Sequence, residues 1–129
     1  MPHIIAEYSA NLEDHLDVQA LVDDLHQAAI GVQVAEIVGI RTRAVARRQF
    51  RVADGNPANG FVHITARLRR GRSAEQRKAL GEALLAAADK RLASVYPTHP
   101  VAMTVEVHEI DPDMTFRRNT LRERAQSAA

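Results

Sequence analysis

The chain has 129 residues, with 17 Lys and Arg against 16 Asp and Glu, a formal net charge of +1 and no cysteine. This length predicts one domain, able to bury about two-thirds of its unfolded surface. The absence of cysteine excludes disulfides and thiolate metal sites, and the near-balanced charge excludes a strong overall pull on nucleic acid or membrane.

No apolar run approaches the roughly 20 residues of a membrane helix. The start of the chain lacks the basic-then-apolar layout of a signal peptide. Both point to a cytoplasmic protein. Among the basic residues only Lys78 and Lys90 are lysines, and the rest are arginines. Arginine offers a planar fork that grips carboxylates bidentately, although a skewed base composition in the gene would give the same bias.

In chain order, "HIIAEYS" predicts a short first strand headed by Pro2. Proline has no N–H for a ladder and is merely tolerated at a strand's first position. If the initiator methionine is removed, however, Pro2 becomes a free secondary amine, a base built into the chain end. "DVQALVDDLHQAAIG" places Val18, Leu21, Val22, Leu25, Ala28 and Ala29 on one helical face, with Asp17 as cap and Gly31 as terminator. "AEIVGIRTRAVARRQFRV" reads as a long or interrupted strand, with Gly39 as a candidate bulge. "ADGNPANG" is a turn by composition.

"FVHITARL" alternates, with Val62, Ile64, Ala66 and Leu68 on one face. Next, "SAEQRKALGEALLAAADKRLASV" opens on a Ser73/Gln76 capping box and carries a buried stripe of Leu80, Leu84, Ala87, Ala88, Leu92 and Val95. "VAMTVEVHEI" alternates again, with Val101, Met103, Val105 and Val107 inward. Residues 111–129 form a polar C-terminal tail expected to dock on a neighbour before fraying. The order β-α-β-β-α-β predicts an α+β domain over 1–129. It has a four-stranded mixed sheet with two helices on one face and parallel pairing across each helical crossover. The other face is left for oligomerisation or a ligand.

Five stretches, "MPH-I-AE-S", "GIRTRA", "VADGNPANGFVHITARL", "GRSAEQRKALGEAL" and "FRRNT", occur in this order on this plan. Together they resemble the 5-carboxymethyl-2-hydroxymuconate isomerases of the tautomerase superfamily, which work with an N-terminal proline. The resemblance runs from Pro2 to about Arg122. It implies a tautomerase-like fold, a homotrimer and a proline-headed pocket near each subunit boundary. It also implies an isomerisation in homoprotocatechuate breakdown that converts a carboxymethyl-substituted 2-hydroxymuconate to its 2-oxo isomer. No metal or organic cofactor is implied. The substrate class is a small unsaturated polycarboxylate.

On that resemblance Pro2 is the candidate catalytic amine. Arg41 in "GIRTR" and Arg72 in "GRS" are the candidate substrate-binding residues. The substrate has three carboxylates for them to hold, and one guanidinium could also draw electrons toward the 2-oxo end. A base that returns its proton needs a pKa near the working pH, which burial and nearby cations supply. Arg72 also precedes a helix start that favours anions. Arg70, beside it in "RLRRGRS", could compete for the same carboxylate. Arg43, Arg47, Arg48, Arg51 and Arg69 are expected to be solvated surface residues, as is Arg70 if it binds nothing.

The six histidines show no metal spacing and are expected to be structural, with His3 shaping the pocket mouth. Glu7 and Glu106 are expected to pair with arginines. A second reading is a related proline-dependent reaction on another unsaturated acid. A third is an RNA-binding sheet, disfavoured by three Phe, two Tyr and no Trp, since such surfaces stack bases on aromatics.

Overall fold

Two crossover helices set the topology. In the computed structural model, which describes residues 1–128, strand β1 (Pro2–Ser9) is followed by helix α1 (Val18–Val32) and strand β2 (Arg41–Arg47). Strand β3 (Gly60–Arg69), helix α2 (Ala74–Leu92) and strand β4 (Val101–Ile110) repeat the plan, and helix α3 (Thr120–Ala128) follows. The sheet order is β2-β1-β3-β4. β1 and β2 run parallel, as do β3 and β4, while β1 and β3 are antiparallel. This is the predicted mixed sheet, with each helix enforcing the parallel pairing it spans.

The inner sheet face carries Ile4, Ala6, Val62, Ile64, Ala66 and Leu68, all fully buried against the helices. They meet Leu21, Leu25 and Ala29 of α1 and Leu80, Leu84, Ala88 and Leu92 of α2. Each fully buried leucine contributes about 1.5–3 kcal/mol. Val101, Met103, Val105 and Val107 face the same core but stay half-buried, because β4 is an edge strand of the described sheet. Ala87, assigned to the buried stripe, is likewise half-buried.

Two boundaries differ from expectation. α1 runs past Gly31 to Val32 and is closed by Gln33 in the left-handed region (φ 61°), whose N–H bonds the Ile30 carbonyl. The stretch read as a long or interrupted strand is a 3-10 turn over Ile37–Gly39 followed by a seven-residue strand, so the interruption is a turn and Gly39 is no bulge. Apolar Ile37 and Val38 continue the strand-like composition, which conceals the turn.

The outer sheet face is mostly polar, with Ile5, Val45 and Phe61 set among its charged residues. Arg47 pairs with Glu7 at 2.5 Å, as expected for Glu7. Glu106 instead lies beside two histidines, 2.8 Å from Nε2 of His63 and 3.6 Å from Nε2 of His108. No described helix is long and apolar enough to cross a membrane.

Candidate active site

The topology brings distant parts of the chain to one end of the sheet. β1 starts there with Pro2 opposite Leu68 near the end of β3, and β2 starts there with Arg41 opposite His3. β4 finishes there, with Ile110 opposite Arg69. Gly71, at φ +126°, then turns the chain from β3 toward α2 in a conformation that favours glycine. The Ser73/Gln76 capping box fixes the helix start immediately after Arg72. The tail returns across the same end, where Asn119 donates to the Val38 carbonyl at 3.3 Å and caps α3 by accepting from the Arg122 N–H at 3.1 Å.

Between these ends lies a cavity of about 420 Å³ lined by Met1, Ala35, Glu36, Arg69, Arg72, Arg117 and Arg122. A second, of about 200 Å³, shares Met1, Arg69 and Arg117 with it. A larger cavity of about 690 Å³ lies between the helices, but its Asp24 and Arg91 are engaged with each other at 2.6 Å. It contains no chain end and none of the sequence-derived candidates.

Pro2 is fully buried and is not itself on the cavity wall; Met1, bonded to it, is. Met1 stands in front of it, and its amine is lowered from 8.0 to about 6. Burial is the main cause, followed by the positive charges of Arg41, Arg117, Arg122 and Arg72. Both act on any amine placed here, because each disfavours an added proton. Gly39 makes room for this chain end. A Cβ on it would overlap the Met1 nitrogen and come within 3.2 Å of the Met1 Cα.

Arg72 is held by backbone. Its Nε donates to the Val34 carbonyl at 2.8 Å and its Nη1 to the Arg69 carbonyl at 3.2 Å. Those bonds brace the guanidinium while it keeps a place on the cavity wall. Arg41 donates to the Gly39 carbonyl at 3.4 Å; it lies outside the lining, although its charge reaches the amine. Arg70 is turned toward Asp111, 4.0 Å away, and is absent from the wall. Arg69, expected to be a surface residue, lines both cavities because it ends the strand that is antiparallel to β1.

His3 borders this region with its pKa lowered, first by burial and then by Arg43, Arg41, the chain-end amine and Arg67. Arg43 lies 3.1 Å from its Nδ1, which must accept, since a guanidinium can only donate. Sequence reasoning missed Glu36, Arg117 and Arg122 as wall residues. The one local signal was "FRRNT", whose asparagine is the cap that seats α3 and whose first arginine is Arg117. Among the described residues, no group of three or more His, Asp or Glu is placed to hold a metal ion.

The family model described as 5-carboxymethyl-2-hydroxymuconate isomerase matches residues 2–125. The chain belongs to this family. A 5-carboxymethyl-2-hydroxymuconate Delta-isomerase of Escherichia coli is 28% identical over 121 residues, spanning 94% of this chain and 96% of that protein. The crystal structure of a 5-carboxymethyl-2-hydroxymuconate isomerase from Deinococcus radiodurans R1 superposes with a TM-score of 0.89 at 27% identity, covering 96% of this chain and 93% of that one. Native fused 4-OT, at 20% identity and a TM-score of 0.69, covers 91% of this chain and 93% of its own and shares the fold. The resemblance carried by the five sequence stretches thus holds for the isomerase family across almost the whole chain.

Proposed function

We propose that this member of the 5-carboxymethyl-2-hydroxymuconate isomerase family converts 5-carboxymethyl-2-hydroxymuconate to its 2-oxo isomer, with Pro2 as the proton carrier after removal of Met1. The supporting observation is the placement of the chain end: Met1 lines a cavity whose wall carries four arginines, and the buried Pro2 is bonded to it. Removing Met1 has two effects at once. It frees the Pro2 nitrogen from its amide, and it vacates the space in front of that nitrogen, where a substrate would stand.

Burial and the same arginines keep the Pro2 amine less basic than a solvated secondary amine, so a neutral fraction is present to act as base. The nitrogen takes the proton of the 2-hydroxyl. The O–H electron pair becomes the carbonyl π-bond and the diene shifts along the chain. The pyrrolidinium then returns a proton to the far carbon, so no atom is gained or lost. Arg72, braced by two carbonyls, anchors a carboxylate. Arg41 stabilises the charge that develops at the 2-oxo end. Fixed cations in a partly enclosed site need little reorganisation as the dienolate forms.

The same reading includes a homotrimer that covers the mostly polar outer sheet face; two fused 4-OT relatives at 18% and 16% identity are described as symmetric trimers. Light scattering tests the assembly. Intact mass followed by a ketonisation assay tests the chemistry: a mass lacking one methionine and a loss of at least 10²-fold in kcat for Pro2→Ala are expected, consistent with the usual worth of a general base. Near wild-type turnover in Pro2→Ala would sink this mechanism.

A further inference from the structure

Within the arginine-rich wall there is one carboxylate, Glu36. It sits just before the Ile37–Gly39 turn and accepts a hydrogen bond from Nη1 of Arg122, which projects from α3. The two residues are 86 positions apart. The pair is an open one, with the Glu36 side chain 67% exposed and that of Arg122 37% exposed. Arg117 and Arg69, on the same wall, make no side-chain hydrogen bond or ion pair among the described residues, and Arg72 has only carbonyl partners. Four guanidiniums therefore share a single protein carboxylate.

We propose that Glu36 is an internal placeholder for a substrate carboxylate. It holds Arg122 while the site is empty, and a ligand bearing a third carboxylate takes Arg122 over. This rests on the functional reading above, in which Arg72 anchors one carboxylate and Arg41 stabilises the 2-oxo end. The Glu36–Arg122 latch is then the element that distinguishes tricarboxylates from dicarboxylates.

The physical case has two parts. An exposed ion pair contributes little to stability, so opening the latch costs little. A ligand carboxylate entering the same wall meets Arg122 together with Arg117 and Arg69, which have no side-chain partner among the described residues, and several guanidinium donors on one anion hold it more strongly than one.

The test is calorimetric titration of the Met1-free protein with 3-carboxymuconate and with muconate, which share a skeleton, differ by one carboxylate and lack the reacting hydroxyl. For 3-carboxymuconate, Glu36→Gln is expected to bind about tenfold tighter than wild type and Arg122→Gln about tenfold weaker. Muconate is expected to change less than twofold in either variant. The proposal is overturned if both variants weaken tricarboxylate binding alike, which would make the pair a plain clamp on α3. It is also overturned if both ligands shift together, or if wild type binds the two equally. Turnover plays no part in the readout. A wild type inert toward the hydroxymuconate that still shows this pattern supports the latch and overturns only the isomerase reading.

Discussion

Gly39→Ala separates the two forms of the chain end. With Met1 in place, the added methyl overlaps the Met1 nitrogen and lies 3.2 Å from the Met1 Cα, and apart from its own chain neighbours nothing else is within 4 Å. Overpacking of this kind costs about 3 kcal/mol or more, equivalent to a fall in Tm of roughly 10 °C for a domain this size. Once Met1 is gone, the methyl points into empty space. The backbone there is an ordinary 3-10 turn, so stability should stay within about 0.5 kcal/mol of wild type. The same methyl then stands where a substrate would approach Pro2. Since a displacement of about 1 Å can cost 10²-fold in rate, kcat/KM should fall by roughly 10- to 100-fold. Intact mass assigns the form, circular dichroism gives Tm, and absorbance kinetics give kcat/KM. A Met1-free Gly39→Ala protein that melts 10 °C below wild type, or that keeps full kcat/KM, refutes this account of the cavity.

Other expectations concern charge and anchoring. kcat/KM should rise with pH through the titration of the chain-end amine, with a midpoint below that of a solvated secondary amine, because burial and the arginines disfavour its proton. A midpoint at or above the solvated value would contradict this. In Met1-bearing protein the folded amine has a pKa of about 6 against 8.0 unfolded, so the unfolded chain binds more protons between these values. Stability should therefore rise from pH 6 to pH 8, by about 1 kcal/mol once solvent screening of a partly buried amine is allowed for; a flat Tm over that window argues against it. Arg72→Lys keeps the charge but cannot reproduce the two bonds to the Val34 and Arg69 carbonyls, so it should lose about 1–2 kcal/mol in denaturant melts and raise KM several-fold. Asn119→Ala removes both the α3 cap and the tie to Val38. Amide exchange in 120–128 should accelerate by the equivalent of about 1 kcal/mol, with little change in global Tm.

The alternating runs of β3 and β4, the capping box of α2 and the crossover logic were enough to predict the sheet, because period and turn chemistry are local properties. The turn at Ile37–Gly39 was legible only as a strand interruption, since Ile37 and Val38 within it extend the strand-like composition. Pro2, Arg41 and Arg72, singled out by short motifs close to strand or helix starts, lie at this end of the sheet, with Arg72 on the cavity wall. Glu36, Arg69, Arg117 and Arg122 were not legible. Their proximity to the amine depends on the antiparallel β1–β3 register and on the tail's return past β4, and neither leaves a mark at the residue itself. Arg69 illustrates the limit: it continues the alternating run of β3 as an ordinary exposed residue, and only the register to Pro2 makes it a wall.

The convergence of the strand ends has a practical consequence for anyone handling this protein. The two ends of the described chain both border the cavity, Met1 inside it and α3 beside it. A fusion joined at the start would thread a linker through the site, and one joined at the end would pull on the helix that carries Arg122. The far end of the sheet is different. There the loop joining β2 to β3, residues 48–59, leaves at Arg47 and re-enters at Gly60, a sheet's length away from the amine. A label, a crystallisation partner or a surface attachment belongs in that loop.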